Sequence, residues 1–154
     1  NLAKEGLVLY AAAYSLASIG IFAILIKMKD YTIDGFNGLG KEHPLLAVTA
    51  TVFLLSLTGI PLTAGFQSKF FMLMAAVQTG HHIWLVIFAV LCAAISAYYY
   101  FRIIQSMFFK EAAADAVILA DDITAAFKIL LVITAALIIV LGLFPHFLTN
   151  WLYF

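Results

Sequence analysis

Charge is the property this sequence has least of. Lys, Arg, Asp and Glu together make 10% of the 154 residues, against roughly 25% in an ordinary soluble domain. With 66% hydrophobic residues, too little polar surface is left to solvate a globule of this size. Eight basic residues balance eight acidic ones, and no basic cluster is present, which excludes nucleic acid as a partner. Cysteine is almost missing as well. Cys92 alone can form neither an internal disulfide nor a cysteine-ligated iron-sulfur centre, and its apolar neighbours predict a buried small hydrophobe. The sequence also lacks a glycine-rich phosphate loop, a nucleophile paired with a base, and metal ligands at matching spacing. His81, His82 and His146 read as residues at helix ends, and no redox chemistry is expected of this chain itself. The sequence starts at Asn1 without the basic and short apolar segments of a signal peptide, and it reads as a piece of something longer.

What the sequence has instead is apolar runs of membrane-crossing length. A helix needs about 20 apolar residues to cross about 30 Å of hydrocarbon. Residues 7–27 reach that length, and Ala13, Ala17, Ser18 and Gly20 give them small positions for close helix approach. A polar, glycine-rich connection leads to Pro44, which suits the first turn of a new helix. Residues 83–108 form another run, with Trp84 near one end and Tyr98, Tyr99, Tyr100 and Arg102 near the other, all read as interfacial anchors. The last run covers 123–145, with Trp151 and Tyr153 just beyond it. The predicted class is all-α, a single membrane domain with four transmembrane helices, the second of them discontinuous.

That second run, residues 45–78, would be about 50 Å long as one helix, too long for one straight crossing. Gly59, Pro61 and Gly65 interrupt it, since proline removes a backbone donor and glycine relaxes helical dihedrals. Either a hairpin joins two spans here, or one span is broken at 59–65. The flanking pieces hold 14 and 13 residues, each below the minimum of about 17 for a crossing. Charge points the same way. A single crossing gathers Lys27, Lys29, Lys41, Arg102, Lys110 and Lys128 on one side and leaves Lys4 opposite, whereas a hairpin splits those six evenly. By the positive-inside rule the loops 28–44 and 109–122 are then cytoplasmic.

Lys69, four residues beyond Gly65, is the only charged residue between Glu42 and Arg102. An uncompensated cation in hydrocarbon costs from about 3 to above 10 kcal/mol, so it must face the protein interior, pair, or exchange its proton. The break offers unpaired backbone groups and room for water, tolerated at that depth only inside protein or along a hydrated cavity. Lys69 is therefore the candidate proton-transfer residue. Ser56, Thr58, Thr63, Gln67 and Ser68 are candidates for its proton path, although hydroxyls in spans often bond their own helix. The helix restarting after the break is expected to point its positive end inward. The competing reading is a permanent ion pair between Lys69 and a carboxylate of another helix.

These residues carry a resemblance. Ser56-Leu-Thr-Gly-Ile-Pro-Leu-Thr-Ala-Gly-Phe-Gln-Ser-Lys-Phe70 resembles the broken helix of the antiporter-like subunits of respiratory complex I, the NADH:quinone oxidoreductase. Ser96-Ala-Tyr-Tyr-Tyr-Phe-Arg-Ile-Ile104 is similar to the helix that follows it in the N type of these subunits, and residues 14–22 to the helix before it. The M type has Glu where Lys69 stands and the L type has Asp where Phe70 stands. Ser68 departs from the Gly usual in the N type. The resemblance implies the C-terminal helices of such a subunit, its N-terminal part lying outside this sequence. It implies a bacterial inner membrane, periplasmic ends, and Lys69 in a C-terminal half-channel for protons. Other membrane subunits of complex I and lipid are the implied partners, in a hetero-oligomer. NAD, FMN, iron-sulfur clusters and quinone are implied on partner subunits and none in this chain. The alternative is a subunit of a multisubunit cation/proton antiporter.

Overall fold

The structure is a computed structural model that describes residues 2–80, 83–112, 117–120 and 122–150, so His81, His82, Trp151 and Tyr153 lie outside the described residues. In chain order the helices are α1 (Leu2–Lys27), α2 (Leu39–Glu42), α3 (Pro44–Thr58), α4 (Ala64–Gln78), α5 (Ile83–Phe109), α6 (Ala125–Leu143) and α7 (His146–Thr149). α1, α5 and α6 are each long and apolar enough to cross a membrane. α3 and α4 have 15 residues each, a rise of about 22 Å, and neither is sufficient alone.

The neighbours of α1 show how α3 and α4 are arranged. Gly6 lies against Phe71 and Met72 of α4, and Gly20 lies against the ring of Phe53 in α3. Between these two points, Tyr10, Ala13 and Tyr14 face the junction at Ser56, Gly65 and Lys69. A walk along α1 thus meets α4, the junction and α3 in turn. The two short helices lie end to end against α1 and run antiparallel to it, as one discontinuous segment. In a hairpin they would pack side by side, but each touches α1 far more than it touches the other.

Because α3 is flanked by α1, α5 and α6, it supplies much of the core. Ala47, Ala50, Phe53 and Leu54 are buried with Ala13, Ala17 and Ile24 of α1 and Leu131, Ala135 and Ile138 of α6. Pro44 starts α3 at its first position, where its missing N–H costs nothing. Only the C-terminal part of α5 is covered within this chain, at Ser106 and Met107. Cys92 sits on the uncovered part and is exposed, which corrects its expected burial.

The connection from Met28 to His43 is more ordered than its polar, glycine-rich composition implies. A short 3-10 turn at Ile33–Phe36 precedes α2, and Phe36 and Leu39 are buried. The end of α5 holds this loop. Ser106 Oγ donates to Ile33 O at 2.8 Å and also contacts Asn37 Oδ1. Lys41 pairs with Glu111 at 2.6 Å and Lys110 with Asp34 at 3.3 Å. Both pairs are solvent-exposed and contribute little. The hydrogen bond and charge of Lys41 hold the Glu111 carboxyl below the usual carboxylate range. That tie is thus present at neutral pH and is lost only as the pH falls through the lowered range. Across the same surface, Lys29 N donates to Ile118 O and Ala120 N to Lys27 O, around an isolated bridge between Met28 and Leu119.

Candidate functional site

A helix leaves its last four carbonyls without intrahelical partners, and α3 ends inside the protein, where water cannot freely take them. The four are Leu55, Ser56, Leu57 and Thr58. Gly59, at φ 89°, donates to Leu55 O and Ser56 O, and Ile60 N donates to Leu55 O at 3.0 Å. This is the Schellman closure, which needs a residue at ease in the left-handed region. It leaves Leu57 O and Thr58 O. Lys69 Nζ donates to both, at 2.7 Å and 3.1 Å. The aliphatic stem of Lys69 passes beside Gly59, its Cδ lying 3.1 Å from the point a Cβ there would occupy. So the lysine reaches back past the start of its own helix and caps the negative end of the preceding one. The positive end of α4 does point inward, but it is not the end that the ammonium meets.

The four residues Ile60 to Thr63 then turn the chain. Thr63 N donates to Ile60 O at 3.3 Å, Pro61 holds the second place, and Leu62 the third with φ 79°. That is the pattern of a type II turn, whose third place usually goes to glycine. A leucine held there stores about 1–2 kcal/mol of strain. Thr63 caps α4, accepting from Phe66 N at 3.5 Å and donating to Ile60 O at 2.7 Å.

Two glycines let the backbones come close enough to build this. Gly65 N donates to Ser56 Oγ at 3.2 Å, and a Cβ on Gly65 would lie 1.8 Å from Ser56 O. A Cβ on Gly142 of α6 would lie 2.4 Å from the carbonyl carbon of Thr63. The last long helix therefore presses on the break from outside, which nothing in the local sequence around Gly142 announces.

Beside Lys69 lies a cavity of about 160 Å³, room for a few waters at about 30 Å³ each. Residues bearing hydroxyls line it from four helices: Tyr10 and Tyr14 of α1, Ser56 of α3, Ser68 of α4, and Ser96 and Tyr100 of α5; the Ser68 and Ser96 hydroxyls donate to carbonyls of their own helices, Gly65 O and Cys92 O, each at 3.0 Å. Of the residues expected on a proton path, Ser56 and Ser68 are brought to the cavity. Thr58 offers Lys69 its carbonyl, while its hydroxyl donates to Leu54 O at 2.8 Å. Thr63 serves as a cap, and Gln67 is half-buried on α4 away from the cavity lining. Thr49 and Thr51 bond carbonyls of their own helix.

Four lining residues escape sequence reading: Tyr10, Tyr14, Ser96 and Tyr100. The run Tyr98 to Tyr100 reads as one anchor, but successive helical residues point about 100° apart. Tyr98 and Tyr99 are 60% and 54% exposed, with Arg102 over the Tyr98 ring at 5.9 Å, and Tyr100 faces Lys69. Among the described residues no group of three or more His, Cys, Asp or Glu side chains is placed to hold a metal. The sequence has no carboxylate between Glu42 and Glu111, and the hydrogen bonds of Lys69 Nζ go to two backbone carbonyls.

Residues 1–96 match the family described as NADH:quinone oxidoreductase/Mrp antiporter, transmembrane. The chain belongs to this family. The match covers α1, the broken segment and the first half of α5, which includes every residue of the site except Tyr100 and Gly142. NADH-quinone oxidoreductase subunit N 1 of Thermodesulfovibrio yellowstonii is 43% identical over 93 residues, covering 60% of this chain and 20% of that protein. Subunit N of Flavobacterium psychrophilum is 45% identical over 89 residues, covering 55% of this chain and 19% of that protein. The chain thus spans about a fifth of the length of the curated relatives it matches. Among solved structures, a chain of respiratory complex I from Thermus thermophilus with bound aureothin superposes with a TM-score of 0.79 at 27% identity. That alignment covers 92% of this chain and 32% of the other, so the likeness extends through α5 and α6, beyond the family match.

Proposed function

We propose that this chain is the C-terminal membrane part of an N-type subunit of NADH:quinone oxidoreductase, and that Lys69 takes up and releases translocated protons in its C-terminal half-channel. The observation that carries the reading is the pairing of Lys69 with two backbone carbonyls beside a hydroxyl-lined cavity. A carboxylate partner would hold the proton by a full opposite charge. Carbonyl dipoles support the ammonium without neutralising it, which leaves the amine free to lose its proton when a nearby charge changes. The break at Gly59, Pro61 and Gly65 supplies those carbonyls at membrane depth, and the cavity supplies a place for water.

The spans are 7–27, 45–78 broken at 59–65, 83–108 and 123–145, in a bacterial inner membrane. The loops 28–44 and 109–122 face the cytoplasm and both ends face the periplasm. Other membrane subunits and lipid cover the uncovered half of α5, and NADH oxidation and quinone reduction fall to partner subunits of the hetero-oligomer.

The family description also names the Mrp antiporters, so a cation/proton antiporter subunit is the second reading. Purification of the full-length protein from native membranes separates them. Copurification with flavin and iron-sulfur subunits is the expected result. Sodium-dependent proton exchange without those subunits would overturn it in favour of the antiporter.

A further inference from the structure

The buried stripe of α6 runs through Leu131, Ala135 and Ile138, spaced four and then three residues apart, and the next place on that stripe is Gly142. There α6 meets the break. A Cβ on Gly142 would lie 2.5 Å from Leu62 O and 2.7 Å from Ala64 N, and the nearest atoms around it are all backbone. At the following residue of the first turn of α4, Gly65 meets the carbonyl of Ser56 in the same way. The start of α4 is thus in direct contact with the main chains of α6 and α3, and Thr63, Ala64 and Gly65 are buried. A side chain between them could absorb a small shift by changing rotamer, whereas main chains in contact pass it on. Since α4 is continuous from Ala64 to Gln78, a shift of its first turn also moves Lys69, about 7.5 Å along the axis from Ala64. The bonds from Lys69 Nζ to Leu57 O and Thr58 O, at 2.7 Å and 3.1 Å, leave little room for such a shift before one of them is lost.

We propose that Gly142 is a positioning residue for Lys69: by letting α6 rest directly on the backbone of Leu62 to Ala64, it fixes where α4 begins and hence whether the ammonium reaches both carbonyls at the end of α3. The inference rests on the reading of Lys69 as a proton carrier. Gly142 does not line the cavity beside the lysine and acts through the turn alone. That turn is a poor cushion. Pro61 has one backbone dihedral locked by its ring, and Leu62 is held at φ 79°, in a narrow region for a residue with a side chain. A displacement at Gly142 therefore goes into the position of α4 and not into the turn. Proton transfer is sensitive to such a displacement, because a misplacement of about 1 Å arising far from the chemistry can cost about 10² in rate.

Gly142→Ala tests the positioning in the intact complex reconstituted in vesicles, with a pH-sensitive dye inside. Per assembled complex, proton translocation should fall roughly tenfold or more. The nitrogen-15 signal of the Lys69 amine at rest should also leave its wild-type position, because the ammonium has lost an acceptor. Ile138→Val, one turn further from the break on the same buried stripe, loosens the packing of α6 and should leave both readouts at their wild-type values. Leu62→Gly with Gly142→Ala provides for a single variant that does not assemble. Glycine lets the turn bend away from the new methyl group, so this complex should assemble with pumping still low and the Lys69 signal still displaced. An unmoved Lys69 signal or wild-type pumping in an assembled Gly142→Ala variant would overturn the proposal, as would an equal loss in Ile138→Val. Failure of both Gly142→Ala variants to assemble would reduce Gly142 to a requirement of folding and overturn it too. Loss of pumping in Lys69→Met beside normal pumping in Gly142→Ala would sink the positioning only. Normal pumping in Lys69→Met would sink the underlying reading, and the Lys69 signal alone would then decide the positioning.

Discussion

Lys69→Met is expected to abolish proton translocation in the assembled complex, a fall of roughly 10²-fold or more if the amine is an obligatory carrier. Methionine keeps the length and apolar stem of lysine but removes the donor to Leu57 O and Thr58 O. Two part-buried carbonyls then lose their partner, at a cost of up to about 1–3 kcal/mol each where water does not take over. A fall in activity with Met alone therefore mixes two causes, capping and proton exchange. Lys69→Arg separates them. A guanidinium can still donate to both carbonyls, but it does not deprotonate in proteins. Complexes carrying Lys69→Arg should thus match the wild type in yield and thermal stability and match the Met variant in pumping. Wild-type pumping with arginine would reduce Lys69 to a structural cap.

Gly65→Ala is expected to have the largest effect on stability. Alanine is the better helix former by about 1 kcal/mol, so at a roomy helix position this change stabilises. Here the new Cβ would sit 1.8 Å from Ser56 O, and backbone has no rotamer with which to yield. Separating α4 from α3 breaks the bond from Gly65 N to Ser56 Oγ and carries Lys69 away from the carbonyls it caps. Overpacking of this kind costs about 1–3 kcal/mol, occasionally more. The sign is thus opposite to the helix propensity, and thermal unfolding of the purified complex measures it. Unchanged or raised stability would show that the close approach of α3 and α4 is wrong. Pumping should fall along with stability, because the same displacement dismantles the lysine's hydrogen bonds.

Much of this was legible in the sequence because a membrane imposes simple arithmetic. Run lengths, the scarcity of charge and the positions of six cations suffice to make residues 45–78 one broken segment, and the order of contacts along α1 shows the same arrangement. Gly59 and Pro61 announced the end of α3 through well-known end-of-helix chemistry. What stayed hidden depends on residues distant in the chain. Gly142 looks like any small residue in an apolar helix, and only the packing of α6 against Thr63 reveals its purpose. Tyr10 and Tyr14 stack at 5.7 Å between ring centroids, and their spacing of four puts them on one helix face. That spacing was a usable sign of a polar stripe. It gains meaning only with Tyr100, about 90 residues away, opposite it. The partner of Lys69 was hidden for another reason. Sequence reading looks for side chains of opposite charge, and backbone carbonyls leave no trace in a list of residue types.

The central claim is that Lys69 changes protonation state while the protein works. Nitrogen-15 spectroscopy of the lysine amines in the labelled, intact complex tests it most directly, with Lys69→Arg used to assign the signal. The account predicts a Lys69 signal that moves between the ammonium and amine positions when the complex passes from rest to turnover. A signal that stays at the ammonium position under both conditions would contradict it, and would leave Lys69 as a permanent cap on α3.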